Sequence, residues 1–242
     1  MGRVRLDQLV VNRGLAPSRE RARALVIAGQ ISVDGASITK AGTQVDDSAD
    51  VAIITPDHPY VGRGGLKLAH ALDTFHIAVA GRQCLDIGAS TGGFTDVMLQ
   101  RGAARVVALD VGHGQLDWRL RNDPRVVVIE HMNARHLTLD ALPARVDLVT
   151  IDVSFISLSK ILPVVPPLLN DSADVVALVK PQFEAGRTEV RKGIIRDPAV
   201  HDRVLAEVAA AGAEVGLTSV ASTSSPVTGQ KGNVEFLIHF RA

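Results

Sequence analysis

Apolar positions in the first 54 residues follow helical spacing twice and then strand spacing. Leu6, Leu9 and Val10 share one helical face, and Gly14 stands where that helix should end. Ser18 is placed to cap a second helix, whose apolar side is Ala22, Leu25 and Val26 and whose stop is Gly29. Residues 31–33, an Asp34-Gly35 turn and Ile38 then read as a hairpin, with a further strand at 51–54. Prolines and glycines punctuate residues 55–65, TPDHPYVGRGG, which read as a connector. Helical spacing returns with Leu66, Ala69 and Leu72. The expected division is a small unit over 1–55, a linker over 56–65 and a large domain over 66–242.

From residue 82 the pattern changes. Short Val- and Ile-rich runs at 84–87, 106–110, 126–129, 146–152 and 175–180 predict strands. Helical segments are expected between most of them, at 94–101, 157–169 and 198–211, and the tail NVEFLIHF reads as one more strand. Alternation of this kind predicts an α/β fold, doubly wound on a mostly parallel sheet, preceded by a small α+β unit. Ligands of such folds bind beyond the carboxyl ends of the strands, so the chemistry is expected where the apolar runs stop.

Composition narrows the picture. The chain has 242 residues, 46% of them hydrophobic and 21% charged, which suits a real core and argues against global disorder. A single cysteine, Cys84, rules out a disulfide framework within the chain and fits a reducing, cytoplasmic setting. No apolar run approaches the ~18 residues of a spanning helix, so no integral membrane segment is expected. Net charge is zero, yet the first 30 residues hold six arginines against only Asp7 and Glu20. A basic end on an otherwise slightly acidic chain points to a polyanion partner, or to an ordinary solvated helix face.

CLDIGASTGGFTDVML reads as strand, glycine turn, helix. The spacing is not that of a dinucleotide fingerprint. Asp86 stands two residues before the first glycine, where an acid repels a pyrophosphate and favours a cationic ligand. Gly88, Ala89, Ser90, Gly92, Gly93 and Phe94 are expected to form the cofactor turn. Asp110, ending the next strand, is the candidate ribose acid, and Asn133 the candidate contact to an adenine edge. Together these resemble class I methyltransferases, which implies S-adenosylmethionine as cofactor.

Four charged residues fall at the strand ends in the order Lys67, Asp152, Lys180, Glu235. Taken singly each has a plain reading, Lys67 as a surface lysine and Glu235 as a protective edge charge. The order resembles the K-D-K-E tetrad of FtsJ-like RNA 2′-O-methyltransferases. A ribose hydroxyl must lose its proton as it attacks, so a lysine there either removes that proton or steadies the developing alkoxide. The segment SRERARALVIAGQISVDG resembles the S4 RNA-binding domain. With RGGLKL, DIGASTGGFT, IDVSFISL, LVKPQFE and GNVEF added, the whole chain resembles the TlyA family, an S4 domain joined to an FtsJ-like methyltransferase.

That resemblance implies methylation of cytidine 2′-hydroxyls in ribosomal RNA or ribosomal subunits. The chain stops soon after its last strand, so a terminal helical extension is expected to be lacking; large-subunit RNA is the expected target and small-subunit RNA a further one. The candidate RNA contacts are Arg3, Arg5, Arg13, Arg19, Arg23 and Arg63, with Arg187, Arg191 and Lys192 on a loop after Lys180. Phe94, Trp118 and Phe183 are too scattered to make a stacking platform, and the histidines lack metal-ligand spacing. The family is also described as haemolysin-like. A membrane-active protein and an inactive RNA-binding assembly factor are therefore the alternative readings.

Overall fold

A computed structural model describes residues 2–54, 58–186, 189–190 and 193–242. The N-terminal unit runs β1 (Arg3–Arg5), α1 (Leu6–Asn12), α2 (Arg19–Ile27), β2 (Ile31–Val33), β3 (Ala36–Ser37), β4 (Gln44–Asp46) and β5 (Val51–Ile53). Leu6, Leu9, Val10, Ala22, Leu25 and Val26 close its core against Ile31. The Ser18 hydroxyl accepts from the Arg21 amide at 3.2 Å and starts α2. Asp34 and Gly35 both take positive φ, the primed-turn geometry that lets β2 fold back on β3. Two strands were not apparent from the apolar pattern: β1 and β4 pair with each other and are too short and polar to stand out.

The large domain follows as α3 (Gly64–Thr74), β6 (Gln83–Ile87), α4 (Gly93–Gln100), β7 (Arg105–Leu109), α5 (Trp118–Arg121), β8 (Val126–Ile129), β9 (Val146–Ile151), β10 (Leu169–Val179), α6 (Pro181–Glu184), α7 (Pro198–Glu214), β11 (Thr218–Ser224) and β12 (Phe236–Arg241). One seven-stranded sheet has the order β11-β12-β10-β9-β6-β7-β8. β10, β9, β6, β7 and β8 are mutually parallel, and β12 joins β10 antiparallel, with β11 antiparallel at the edge. The chain leaves β6 toward β7 on one side and reaches β9 on the other. Their boundary is the crevice where such sheets bind ligands.

The helix expected over 157–169 is a correction. That stretch forms three short 3-10 turns, Leu158–Lys160, Leu162–Val164 and Pro166–Leu168. Pro163, Pro166 and Pro167 lack the amide hydrogens an α-helix requires, so its ladder cannot run. Leu158, Leu162, Val165 and Leu168 still bury their side chains on the sheet, which explains the helical spacing. β11 was also missed, because TSVASTS carries almost no apolar signal and lies largely exposed at the sheet edge.

The connector is packed where it is described. The Val61 amide donates to Asp96 Oδ2 at 2.8 Å, and Val61 is buried. The expected linker begins at 56, and positions 56 and 57 lie outside the described residues. The two units also meet directly, through Arg21 of α2 and the buried Asp117 that caps α5, at 3.0 Å.

α7 lies across β12 with Gly212 against the Phe240 ring, and an added Cβ would come within 2.9 Å of Phe240 Cδ1 and closer still to Cε1. Alanine favours helix over glycine by about 1 kcal/mol, but overpacking a filled core costs about 1–3 kcal/mol. Gly212→Ala should therefore destabilise the protein, read as a lower denaturation midpoint in urea; a raised midpoint would mean the ring yields freely.

Candidate active site

The glycine turn after β6 separates two cavities. On one side Gly88 and Ser90 face Asp110, Asn133 and Met132 across a space of about 510 Å3. On the other, Gly88, Ala89 and Ser90 face Lys67, Lys180 and Glu235. Asp152 and Ser154 line both, so the cavities meet at the carboxyl end of β9. The turn itself demands glycine at 88. Its φ is +88°, and a Cβ there would collide with the Asp152 carbonyl oxygen.

Asp110 is pinned by two backbone amides. Oδ2 accepts from the Ser90 amide at 2.8 Å and Oδ1 from the Gly112 amide at 2.6 Å. Each oxygen keeps a lone pair for a vicinal diol. Asn133 faces the same cavity, and its Oδ1 accepts from the Arg135 amide at 3.1 Å, which turns the chain into a short 3-10 helix. Gln115 lies alongside, 3.4 Å from the Ser90 hydroxyl.

Asp86, expected at the cofactor turn, lies beneath it. It is fully buried and lines neither cavity. Its oxygens accept from the Thr95 hydroxyl at 2.7 Å and the Thr150 hydroxyl at 3.0 Å. Burial pushes its carboxyl up to about 7, against the two hydroxyl bonds. Asp86 thus ties the end of β6 to α4 and β9, fixing the turn from beneath. Gly92 has a structural place as well. At φ +95° it bends the chain into α4, with Leu116 and Leu120 packed where a side chain would start. Gly93 and Phe94 line the lysine-bearing cavity, not the one with Asp110.

The structure brings Lys67, Asp152, Lys180 and Glu235 into one cavity, from four separate parts of the chain. They form two ion pairs. Lys67 Nζ lies 2.5 Å from Glu235 Oε2, and Lys180 Nζ lies 2.5 Å from Asp152 Oδ1 and 3.0 Å from the Ser154 hydroxyl. The lysine side chains are only 12% and 10% exposed, so neither is the surface charge that its local sequence allows. Burial raises the Asp152 carboxyl, but Lys180 and then Lys67 outweigh it and hold Asp152 below the usual carboxylate range.

Each member is aimed by its backbone. Lys180 follows β10 directly, and Pro181 at the start of α6 keeps it extended, at φ −112° and ψ 97°. Glu235 is fixed by the loop that doubles back over it, where the Ser225 amide donates to the Glu235 carbonyl at 2.8 Å and Gly229 leaves no room for a side chain.

Several residues at the site were not singled out from sequence. Ser154 and Phe155 follow Asp152, and Phe155 is 84% exposed at φ +65° with its ring 4.9 Å from that of Phe183. Glu184 clamps this segment, accepting from the Leu158 amide at 2.9 Å and the Ser157 hydroxyl at 2.6 Å. Gln182 lines the lysine cavity. A short motif such as IDVSFISL marks such residues as a group, but not which of them face inward.

The basic residues divide. Arg3 and Arg23 are exposed, and Arg63 stands exposed on the rim of the lysine cavity. Arg5 and Arg19 both reach the buried Asp7, at 2.8 and 3.2 Å, and Arg13 donates to the Asp47 carbonyl at 2.9 Å. These three carry part of their bonding inside the small unit. Arg187, Arg191 and Lys192 lie outside the described residues.

Comparison with known proteins agrees with this architecture. Residues 60–242 match the FtsJ-like methyltransferase family and residues 4–51 match the S4 domain. The chain is 50% identical over 241 residues to the 16S/23S rRNA (cytidine-2′-O)-methyltransferase TlyA of Mycobacterium tuberculosis, covering 99% of this chain and 90% of that one. A solved structure from Streptococcus thermophilus, described as a candidate hemolysin, superposes with a TM-score of 0.78 at 43% identity, over 100% of this chain and 89% of that one. An S-adenosylmethionine-dependent methyltransferase from Mesorhizobium loti shares the fold at 16% identity and a TM-score of 0.53, over 72% of this chain and 96% of that one. With both domain matches and this identity over nearly its full length, the chain belongs to the TlyA family of S4-bearing FtsJ-like methyltransferases.

Proposed function

We propose that the protein transfers a methyl group from S-adenosylmethionine to the 2′-hydroxyl of a cytidine in ribosomal RNA. The observation that carries this reading is the meeting of the two cavities at Asp152. A pinned carboxylate suited to a ribose diol lies on one side and a lysine-acid tetrad on the other. The residues fit such a cofactor: Asp110 for its ribose, Asn133 for the adenine edge, and the Gly88 turn for close backbone approach. When bound, S-adenosylmethionine supplies a sulfonium methyl group.

The chain's own residues then do two things. They hold the target hydroxyl at the junction, where positioning supplies much of the rate. They also meet the charge that develops on its oxygen. Lys180, in its ion pair with Asp152, faces the hydroxyl and steadies the negative charge that develops on its oxygen as the proton passes to water. Lys67, tied to Glu235, adds a second cation to the same wall. Residues 1–55 serve as the RNA-holding unit and 66–242 as the catalytic domain, with Arg23 and Arg63 as exposed phosphate contacts. The exposed Phe155 ring offers a stacking surface beside the site. The similarity to TlyA supports both ribosomal subunits as sources of substrate, in the cytoplasm where that RNA lies.

The direct test supplies labelled S-adenosylmethionine with unmodified large and small ribosomal subunits, then maps 2′-O-methyl positions. Transfer to a base or to protein instead would sink the reading. Lys180→Met should lower the single-turnover rate by about 10²–10³-fold, while Lys180→Arg, which keeps the charge and does not give up a proton, should retain part of it. Equal inactivity of both variants, with cofactor affinity intact, would make Lys180 a proton acceptor.

Asp110→Ala should weaken S-adenosylmethionine binding by at least about tenfold in calorimetry, as expected for losing a charged hydrogen-bond acceptor; an unchanged affinity would remove Asp110 from ribose recognition. Arg23→Ala with Arg63→Ala should weaken RNA binding and flatten the slope of log affinity against log salt by about 1–2. A slope equal to wild type would place the RNA elsewhere.

A further inference from the structure

Gln182 carries a hydrogen-bond acceptor with no partner among the described residues. It lines the cavity that holds Lys67, Asp152, Lys180 and Glu235. Its Oε1 is shut off from solvent and has no hydrogen-bond donor among the described residues. A buried acceptor left alone is costly, and native structures keep few of them. The backbone beneath it is firmly placed. The Phe183 amide donates to the Lys180 carbonyl at 2.8 Å, and Glu184 is clamped to the Ser157 hydroxyl and Leu158 amide. Gln182 is therefore held two residues from Lys180, in the lining of the cavity where the target nucleotide must enter, and its carboxamide has to turn for Oε1 to meet a ligand there.

We propose that Gln182 reads the base of the target nucleotide, an inference that rests on the RNA 2′-O-methylation reading above. An unpaired carbonyl repels a phosphate, and Arg63 and Lys67 on the same wall suit phosphate better. The acceptor needs a neutral donor. A carboxamide sets an acceptor beside a donor, the pattern with which glutamine pairs to an adenine edge. Cytosine's Watson–Crick edge sets its N4 amino donor beside the N3 acceptor, and matches that pattern. Uracil presents the reverse order, O4 beside N3–H, and pairs only if the carboxamide turns over, so the preference for cytidine depends on which way the bound carboxamide is held. The target nucleotide must leave any stack to reach this depth, which exposes that edge.

The test uses the full-length protein, S-adenosylmethionine, and a ribosomal RNA fragment containing the mapped target as cytidine or uridine. Gln182→Leu, close in size but without hydrogen bonds, should lower kcat/KM on the cytidine fragment by at least about tenfold and narrow the preference over uridine. Its S-adenosylmethionine affinity and melting temperature should match wild type. Gln182→Glu, which still accepts from the cytosine amino group, should recover part of the cytidine rate.

The proposal is overturned if Gln182→Leu stays within twofold of wild type. It is equally overturned if the loss tracks weakened cofactor binding or melting, or if Gln182→Glu is no better than Gln182→Leu. Wild-type protein that transfers no methyl to RNA would remove the methylation reading itself and this inference with it. Wild-type transfer with an unaffected leucine variant removes this inference alone.

Discussion

The ion pair between Asp152 and Lys180 organises the rest of the site. Two opposite charges 2.5 Å apart in a largely sheltered place are stable only while both remain. Removing either would leave its partner charged and unmatched. The pair sits where β9 and β10 end side by side, and that adjacency comes from parallel pairing between the two strands. Asp152 also sets the floor of both cavities, since its carbonyl oxygen lies where Gly88 must have no side chain. One residue thus fixes the turn, aims the lysine and marks the meeting of the two cavities.

The small N-terminal unit is tied into this arrangement. Ala28 and Thr39 reach the wall of the lysine cavity, and Arg21 grips Asp117, whose amide donates to the Thr91 carbonyl at 3.1 Å. Burial raises the Asp117 carboxyl, but the Arg119 amide and the Arg21 guanidinium outweigh it and hold it low. RNA held on the outer face of α2 would then lie against the rim where Arg63 stands. Within the small unit, Asp7 takes up Arg5 and Arg19, so part of the basic end serves the fold of that unit.

The alternative readings meet the geometry differently. Among the described residues no helix is long and apolar enough to cross a membrane. A hemolysin name on a relative is a statement about that relative. An inactive assembly factor would have no need for four charged side chains carried to one cavity in two tight pairs, at the desolvation cost that such pairs carry.

Much of this was legible in the chain. Apolar runs of Val and Ile fix parallel strands because both faces of the sheet are covered, and they mark Lys180 and Asp152 because a charge must lie where burial ends. The glycine turn and Asp110 follow from local chemistry. Tertiary structure alone decided the rest. Lys67 reads as a surface charge from its own stretch, and only the resemblance to the FtsJ-like tetrad marks it; the fold is what brings Glu235, 168 residues away, onto it. That Asp86 is fully buried and held by Thr95 and Thr150 shows only in the fold. The spacing of Leu158, Leu162 and Val165 reads as a helix, yet proline breaks it while the side chains keep their burial. Gln182 has no signal at all until the cavity exists. Hydrophobic periodicity is a short-range property of the chain and survives in the sequence. The pairing of charges is long-range, and only the folded sheet brings the partners within reach.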